Sequence, residues 1–303
     1  MMRDATAADP STWVDAHLHA WDTEVLAPPW IAQAPQFAGR FDLARYFAEG
    51  GVRGGLVFVE ADVAHEDRAR EAQLFARWGA AAGVPHASVA CIEPGAAGFA
   101  RELASIGSAH AVRGARRVLH AGDLPFGSQR FVEGLHALGA AGLSFDFCVR
   151  WTDIARVEAC ARAAPATRLV LDHLGNPPLR EGWASPARGA WQRLVARAAS
   201  CPNVSVKWSA MFENAGRALA AEEIRPWFEW CVACFGPERT MWGSNWPVCF
   251  AGARLTQWTD ACAAIGSSLT AGEQAAVFGW TARRVYGLEG ATSADAPGFG
   301  PRR

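Results

Sequence analysis

Short apolar segments of strand-like composition alternate with helix-like segments along most of this chain, and this alternation constrains the fold more than any other feature. Strands that alternate with helices favour a parallel sheet, and 303 residues suit either one α/β barrel or two smaller domains. We predict a single (β/α)8 TIM barrel, because eight repeats at a spacing of roughly 25 to 40 residues match it better than a two-domain scheme. The eight strand-like segments occupy residues 13–22, 54–60, 87–92, 111–119, 143–149, 169–175, 204–209 and 240–247.

The same repeat sets the expected domain boundaries. We assign residues 13–288 to the barrel and residues 1–12 to an N-terminal extension. The tail at 289–303 is rich in Gly, Pro and Ala. Such a composition buries too little apolar surface to offset the entropy of ordering the chain, so we expect this tail to be disordered.

The composition argues against two classes of partner. The formal net charge is −1 and the chain has no basic run, so the electrostatic signature of a nucleic-acid-binding protein is missing. No apolar run approaches the roughly 20 residues that cross a bilayer, and the first ten residues do not resemble a secretory leader. We therefore expect a cytoplasmic protein without a nucleic-acid or membrane partner. The sequence does not indicate its oligomeric state.

The eight cysteines are scattered along the chain, and several lie in apolar segments, as buried free thiols do. They indicate no disulfide framework. Cys231 and Cys234 form a C-x-x-C at helical spacing without a second pair of ligands. We interpret this pair as core packing rather than a zinc or redox site.

The first strand-like segment carries two histidines, His17 and His19, at a spacing of two. Residues i and i+2 of a strand point to the same face, so both imidazoles and Asp15 are expected on one side. For an isolated His-x-His the commoner explanation is one hydrogen-bonded core histidine and one surface histidine. The polar residues of the other strands decide between that explanation and an active site.

Polar side chains recur at the predicted carboxyl ends of the strands, where the active sites of TIM barrels lie. Such residues are costly in a core unless they are satisfied. Taken together they predict an active site, although each could instead cap its own strand. The residues are His17, His19, Glu60, Arg116, His173, Lys207 and Asn245.

The order of three motifs resembles the amidohydrolase superfamily: Asp-x-His-x-His at 15–19, Leu-Asp-His-Leu-Gly at 171–175 and Gly-Ser-Asn-Trp-Pro-Val at 243–248. The chain is most similar to the lactonase branch, which acts on sugar lactones and 2-pyrone-4,6-dicarboxylate. Residues 112–116 and 206–209 are similar to the Lys-Gly-Val-Arg and Lys-Leu-Ser-Gly motifs of that branch. The resemblance spans about residues 13 to 288.

This resemblance implies a hydrolase that opens a small lactone, either a sugar lactone or a pyrone- or muconolactone-type carboxylate, by attack of water on the ring carbonyl. Such an enzyme acts on a carboxylic ester bond in carbohydrate or aromatic catabolism. We assign the catalytic work to His17, His19, His173 and Asn245. We assign substrate binding to Glu60, Arg116, Lys207, Trp21 and Trp246, with the alternative that Lys207 pairs with Glu60 or Asp172 inside the barrel.

One position departs from the family pattern, because the strand-eight motif usually reads Gly-Ser-Asp-Trp-Pro and its aspartate serves as metal ligand or general base. Asn245 cannot take a proton at neutral pH. Either the protein uses another base, which we favour, or the asparagine replaces the natural residue in an altered sequence.

We expect no required metal, because the strand-eight carboxylate is missing and the resembled branch includes members that work without one. The fourth predicted strand has no lysine at its C-terminal end that could be carbamylated to bridge two metals. The alternative is one divalent metal such as zinc on His17, His19 and His173.

Two rival functions remain open: a metal-dependent decarboxylase of the same superfamily, and a non-catalytic protein that binds a lactone or sugar acid. Five further histidines have no motif support and are expected in surface or loop positions, with only His120 near a strand end. These are His65, His86, His110, His120 and His136.

Overall fold

The computed structural model of the protein describes residues 9–106, 111–120 and 126–288. The predicted disordered tail, His110 and residues 1–8 of the predicted extension lie outside the described residues. Residues 10–12 form a 3-10 turn whose preceding residue, Asp9, accepts a hydrogen bond from the N–H of Ser11.

Eight parallel strands form one sheet in the order β1-β4-β5-β6-β7-β8-β9-β10, and helices follow these strands. The predicted (β/α)8 barrel is thus confirmed. A separate two-stranded antiparallel ribbon of β2 and β3 lies in the loop after the first strand. The strands are β1 (Val14–Leu18), β2 (Trp21–Asp22), β3 (Arg40–Phe41), β4 (Gly55–Val59), β5 (His86–Cys91), β6 (Val112–Val118), β7 (Ser144–Cys148), β8 (Leu169–Leu171), β9 (Val204–Trp208) and β10 (Thr240–Trp242).

The barrel closes where β1 meets the segment that follows β10. The N–H of Asn245 donates to the carbonyl of His17 at 2.7 Å, and the N–H of His19 donates to the carbonyl of Trp246 at 2.7 Å. Two segments with candidate catalytic residues therefore lie side by side, although their hydrogen-bonded residues are 227 and 228 positions apart along the chain.

The helices cover the outside of the barrel. Several begin at a side-chain cap; Asp42 and Ser128, for example, accept hydrogen bonds from N–H groups in the first turns of the helices that start at Leu43 and Gln129. The helices are α1 (Leu43–Ala48), α2 (Arg68–Ala82), α3 (Phe99–Ile106), α4 (Gln129–Ala140), α5 (Ile154–Ala163), α6 (Pro186–Ala199), α7 (Met211–Ala215), α8 (Ala221–Phe235), α9 (Leu255–Gly266), α10 (Ala271–Ala275) and α11 (Thr281–Tyr286).

Two helical features differ from the sequence prediction. The expected single helix at 271–286 is interrupted by a wide π turn, Ala276–Trp280, in which Phe278 stacks on Trp13 with ring centroids 3.7 Å apart. The short helix α7 was not predicted at all. It follows β9 directly and reaches the carboxyl end of the barrel.

Apolar side chains fill the space inside the strands and between the strands and helices. The central strands are buried on both faces, as a parallel sheet covered by helices requires. Trp208 of β9 stacks on Phe228 of α8 at 3.8 Å between ring centroids. All eight cysteines are free, and Cys231 is fully buried. Within the described ranges, no helix has both the length and the apolar character needed to cross a membrane.

Candidate active site

A cavity of about 370 Å³ opens at the carboxyl ends of the barrel strands. Six of the predicted site residues line it: His19, Glu60, Arg116, His173, Asn245 and Trp21. The other lining residues are Trp30, Ala61, Asp62, Val118, His120, Cys148, Asn176, Ala210, Glu213, Asn214 and Val248. A cavity with apolar walls and a few convergent polar groups is typical of a small-molecule site.

The first strand contains a bulge that changes the expected arrangement of its side chains. Asp15 pairs with Leu56 but Leu18 pairs with Phe58, so β1 has one extra residue between these positions. The carboxylate of Asp15 accepts hydrogen bonds from the Tyr46 hydroxyl and from the N–H groups of His17 and Ser244. The expectation that Asp15 shares a face with the imidazoles is therefore corrected, because the bulge breaks the period of two.

His17 and His19 do converge. Their Nε2 atoms lie 3.2 Å apart. Nδ1 of His19 lies 2.9 Å from the carbonyl oxygen of Val59, which can only accept, so Nδ1 has the hydrogen and Nε2 has a lone pair. Burial, aided by the charge of Arg116, lowers the pKa of His19 to about 3. The imidazole is thus neutral at physiological pH.

His173 reaches the same place from a strained turn after β8. Its φ of 58° lies in the left-handed region, as does the φ of 53° at Leu174. Its Nδ1 lies 2.7 Å from the Ser209 hydroxyl, and its ring centroid is 4.6 Å from that of His17. Burial lowers its pKa to about 3. Strain of this kind clusters at functional sites because the surrounding structure has to hold it.

A network of buried charges lies beside the histidines. Arg116 donates to Glu60 at 2.5 Å and to Asp172 at 2.8 Å. Burial disfavours ionisation of Asp172, but the cations of Lys207 and Arg116 and its contact with His17 hold the pKa of this carboxyl well below its usual range. The Asp172 carboxylate lies 3.3 Å from Nδ1 of His17, so it can orient that imidazole.

The structure does not place Lys207 in the cavity wall, as expected for a substrate-binding residue. Its side chain is fully buried, and its Nζ lies 2.6 Å from Asp146, 3.3 Å from Asp172 and 3.2 Å from Nδ1 of His17. The alternative of an ion pair with Asp172 is present, whereas Glu60 pairs with Arg116 instead. Lys207 therefore joins the charge network beneath the histidines, since a strand side chain pointing into the barrel meets the side chains of other strands.

Trp246 likewise does not wall the cavity. It is fully buried, its Nε1 donates to Glu49 at 2.8 Å, and its ring packs edge-on against Tyr46 with centroids 5.4 Å apart. The reason is that its backbone completes the barrel seam and turns the side chain into the core. Trp21 does line the cavity, and it packs edge-on against a second lining tryptophan, Trp30.

Asn245 occupies the cavity wall with a φ of 55°, a conformation that asparagine tolerates better than most residues. Its Nδ2 donates to Oε1 of Glu213 in α7 at 2.8 Å. Burial raises the pKa of Glu213 to about 7. Glu213 was not predicted from the sequence, although it lies only four residues after the motif at 206–209, in the loop region where barrel enzymes place functional groups.

Two more site residues were missed or undervalued. Asp146, which receives hydrogen bonds from Lys207 and from the Tyr286 hydroxyl at 2.6 Å each, is a charge within an apolar strand, and that pattern could have identified it. His120 lines the cavity, although no motif marked it. Of the other described histidines, His65 contacts Glu102 and His86 contacts the Val84 carbonyl, away from the cavity.

The donor set of the three histidines fits a divalent metal. His19 and His173 each use Nδ1 to contact a neighbouring oxygen, and Nδ1 of His17 faces the Asp172 carboxylate. This leaves Nε2 of each ring available, which is the usual arrangement of metal-ligating histidines. His17, Asp172 and His173 also each offer a ligand atom within 4.8 Å of the others. Neutral imidazoles are the form that binds metal.

Proteins of known structure or function that are similar to this chain support the assignment of these residues to an active site. An L-fucono-1,5-lactonase of Burkholderia multivorans is 33% identical over 172 residues, which are 52% of this chain and 56% of that protein, so the match spans about half of the relative. An L-fucono-1,5-lactonase of Burkholderia ambifaria is 27% identical over 241 residues, 78% of this chain and 80% of that protein. A crystal structure of a B. multivorans amidohydrolase with bound zinc is 26% identical, with a TM-score of 0.79, and covers 91% of this chain and 99% of that one.

Our expectation that no metal is required is wrong. A structural relative holds zinc, and the present chain has a cluster of suitable ligands. The expectation relied on the missing carboxylate at position 245. It overlooked Asp172, whose carboxylate faces His17 and can raise the basicity of a histidine ligand from a distance.

The extent of the family match agrees with the extent of the fold. The profile described as Amidohydrolase matches residues 14–288, which run from the first residue of β1 to just beyond the last helix, α11. The site assembled at the strand ends contains the three histidines on which the resemblance rested. The chain belongs to the amidohydrolase family.

Proposed function

We propose that this protein is a lactonase that opens a small sugar lactone by attack of water on the ring carbonyl. The observation that carries the proposal is the convergence of His17, His19 and His173 beside a cavity that also contains Arg116 and a carboxylate. Lactone hydrolysis, which the sequence resemblance predicted, also agrees with the names of the two Burkholderia relatives.

The roles follow from the atoms that each residue has available. A divalent metal such as zinc, held by His17, His19 and His173, would polarise the lactone carbonyl as a Lewis acid. His19 uses its only N–H on the Val59 carbonyl, so it binds an electrophile rather than donating a proton. Arg116 is fixed by two carboxylates at the cavity wall, where its guanidinium can donate to a substrate oxygen.

The charge of the cavity wall favours a neutral polyol over a dicarboxylate. The only arginine among the described lining residues, Arg116, is already paired with Glu60 and Asp172. Asp62 and Glu213 add two further lining acids. A pyrone dicarboxylate would bring two negative charges to this wall, whereas lactone hydroxyls can exchange hydrogen bonds with it.

The apolar side of the cavity fits the carbon face of a sugar ring. Trp21 and Trp30 line this side with ring planes nearly perpendicular, 5.5 Å between centroids. Asn176 and Asn214 line the same cavity and can each donate and accept hydrogen bonds. We place this activity in carbohydrate catabolism in the cytoplasm, and we assign it to one domain at 13–288.

The test is a panel of sugar lactones and pyrone carboxylates incubated with purified protein, with acid release followed by pH indicator and CO2 by gas detection. We expect acid without CO2, and faster release from sugar lactones. His173→Ala should lower both the rate and the bound zinc measured after reconstitution, whereas the distant His136→Ala should change neither. CO2 release would support a decarboxylase instead, and binding of lactones without turnover would indicate a non-catalytic protein.

A further inference from the structure

The lactonase proposed above needs a group that takes a proton from the attacking water, and the family position for it holds an amide. Asn245 lies at the cavity wall, but an amide accepts no proton at neutral pH. The histidines are poor substitutes, because His19 and His173 use Nδ1 on neighbouring oxygens and would hold the metal through Nε2. A base must therefore come from elsewhere in the wall.

Glu213 is the acid that the structure brings to this position. It belongs to the short helix α7, which begins after Ala210, a residue with a left-handed φ of 57°. That turn directs the chain back over the cavity, and Glu213 lines the cavity together with His19 and His173. Its Oε1 accepts the 2.8 Å hydrogen bond from Asn245, and the carboxylate also accepts from the backbone N–H groups of Phe212 and Glu213 itself.

The other lining acids are committed to cations. Glu60 pairs with Arg116 at 2.5 Å and Asp62 pairs with Arg117 at 2.9 Å. Glu213 forms no ion pair in the described part of the chain. A carboxylate held by an arginine is a weak base because the cation stabilises its charge, so Glu213 is the carboxylate of the wall best able to accept a proton.

We propose that Glu213 is the general base of the lactonase and that Asn245 holds it in place, an inference that rests on the proposed function. Glu213 removes a proton from water as the water oxygen bonds to the ring carbonyl carbon. The tetrahedral species then collapses, the bond from that carbon to the ring oxygen breaks, and the proton passes from Glu213 to the released ring oxygen. The product is a hydroxy acid, which loses its carboxyl proton to solvent.

The surroundings of Glu213 suit this role. The turn Val248–Ala251 packs on α7 and places the buried thiol of Cys249 near Glu213. The turn Leu179–Glu181 brings Arg180, whose Nε donates to the Asn214 carbonyl, and the exposed Glu181. None of these forms an ion pair with Glu213, and burial raises its pKa to about 7, close to the ideal for a base at neutral pH.

The test compares Glu213→Gln, Glu213→Asp and the matched control Glu181→Gln with the wild-type chain on the accepted lactone. We expect Glu213→Gln to lower kcat about 10²- to 10⁴-fold, the usual value of general-base catalysis. The wild-type rate should rise with pH through an inflection near 7 that Glu213→Gln lacks. Glu213→Asp should retain part of the rate with an inflection, and Glu181→Gln should match the wild type.

Bound zinc and thermal unfolding of each variant separate a base from a ligand or a structural residue. Zinc content unchanged in Glu213→Gln supports the proposal, and zinc loss equal to that of His173→Ala overturns it. If the wild type turns over lactone and Glu213→Gln keeps kcat within about threefold of it, with the same pH profile, this inference is overturned and the proposed function is not. Absence of turnover in the wild type on every lactone refutes the proposed function, and this inference with it.

Discussion

Replacing Lys207 by methionine is the sharpest test of the charge network beneath the histidines. Lys207 is the only lysine in the sequence and is fully buried. Its ammonium lies 2.6 Å from Asp146 and 3.3 Å from Asp172. Methionine keeps much of the side-chain volume and removes the charge, so the change isolates the electrostatic contribution.

The expected loss of folding free energy depends on which carboxylate Lys207→Met leaves without a cation. Asp172 keeps its 2.8 Å ion pair with Arg116, whereas Asp146 keeps only hydroxyl donors, from Tyr286 and Ser144. Removing one partner of a buried pair costs about 3–5 kcal/mol. Because Asp146 can take up a proton, we expect the lower end, about 3 kcal/mol. At roughly 2–4 °C per kcal/mol for a large domain, Tm should fall by about 6–12 °C.

The assay joins thermal unfolding with a double-mutant cycle. Lys207→Met should be rescued in part by Asp146→Asn, since the second change removes the charge left unpaired. Amine labelling gives an independent reading, because Lys207 and the N-terminus are the only amines of the chain. A small amine reagent should modify Lys207 in unfolded protein and leave it unmodified in native protein.

Two results would refute this reasoning and restore Lys207 to the substrate site. One is a Tm within about 2 °C of wild type combined with a KM for lactone raised more than about tenfold, since loss of a binding contact raises KM. The other is rapid labelling of Lys207 in native protein that a bound lactone prevents.

Three further changes test other parts of the site. Arg116→Met should raise KM more than it lowers kcat, and unchanged KM for every accepted lactone would remove Arg116 from the site. The folded state holds the proton of Glu213 up to about pH 7, whereas the unfolded chain loses it near pH 4.3. Wild type should therefore lose stability relative to Glu213→Gln as pH rises through this window in urea unfolding, and parallel curves would contradict the raised pKa. Asn245→Asp should shift the pH–rate inflection upward, because a carboxylate 2.8 Å from Glu213 costs about 6 kcal/mol at an effective dielectric constant of about 20. A rate increase of about 10²- to 10⁴-fold would instead identify the asparagine as a lesion.

The barrel was predictable because its signal is repeated and local. Each strand is a short apolar run, and each run is followed by a helix, so that errors of one or two residues at element ends do not change the topology. Helix α2 was expected at 67–82 and runs Arg68–Ala82; α8 was expected at 222–235 and runs Ala221–Phe235. The interruption before α11 contains Phe278, which stacks on Trp13, and local periodicity does not report a contact between residues so distant in sequence.

The site was predictable only to the level of strand ends. Periodicity places a residue at the end of a strand. The partner of a buried charge, however, depends on which strands are neighbours and on the position of each side chain along the barrel axis. Arg116 and Lys207 looked equivalent in sequence, yet one reaches the cavity and the other lies beneath the histidines. The bulge in β1 is a similar case, because one extra residue redirects Asp15 towards Tyr46.

Asn245, which follows β10, and Glu213 on α7 are best understood together. An aspartate at 245 would lie within hydrogen-bond distance of Glu213, and two buried carboxylates that close cannot both ionise near neutral pH. The amide instead donates to Glu213 and favours its charged form. Judged alone, Asn245 is a missing carboxylate. Judged with Glu213, the change moves the carboxylate of this part of the wall from position 245 to helix α7, and the amide of Asn245 stabilises the charge of Glu213 by donating to it.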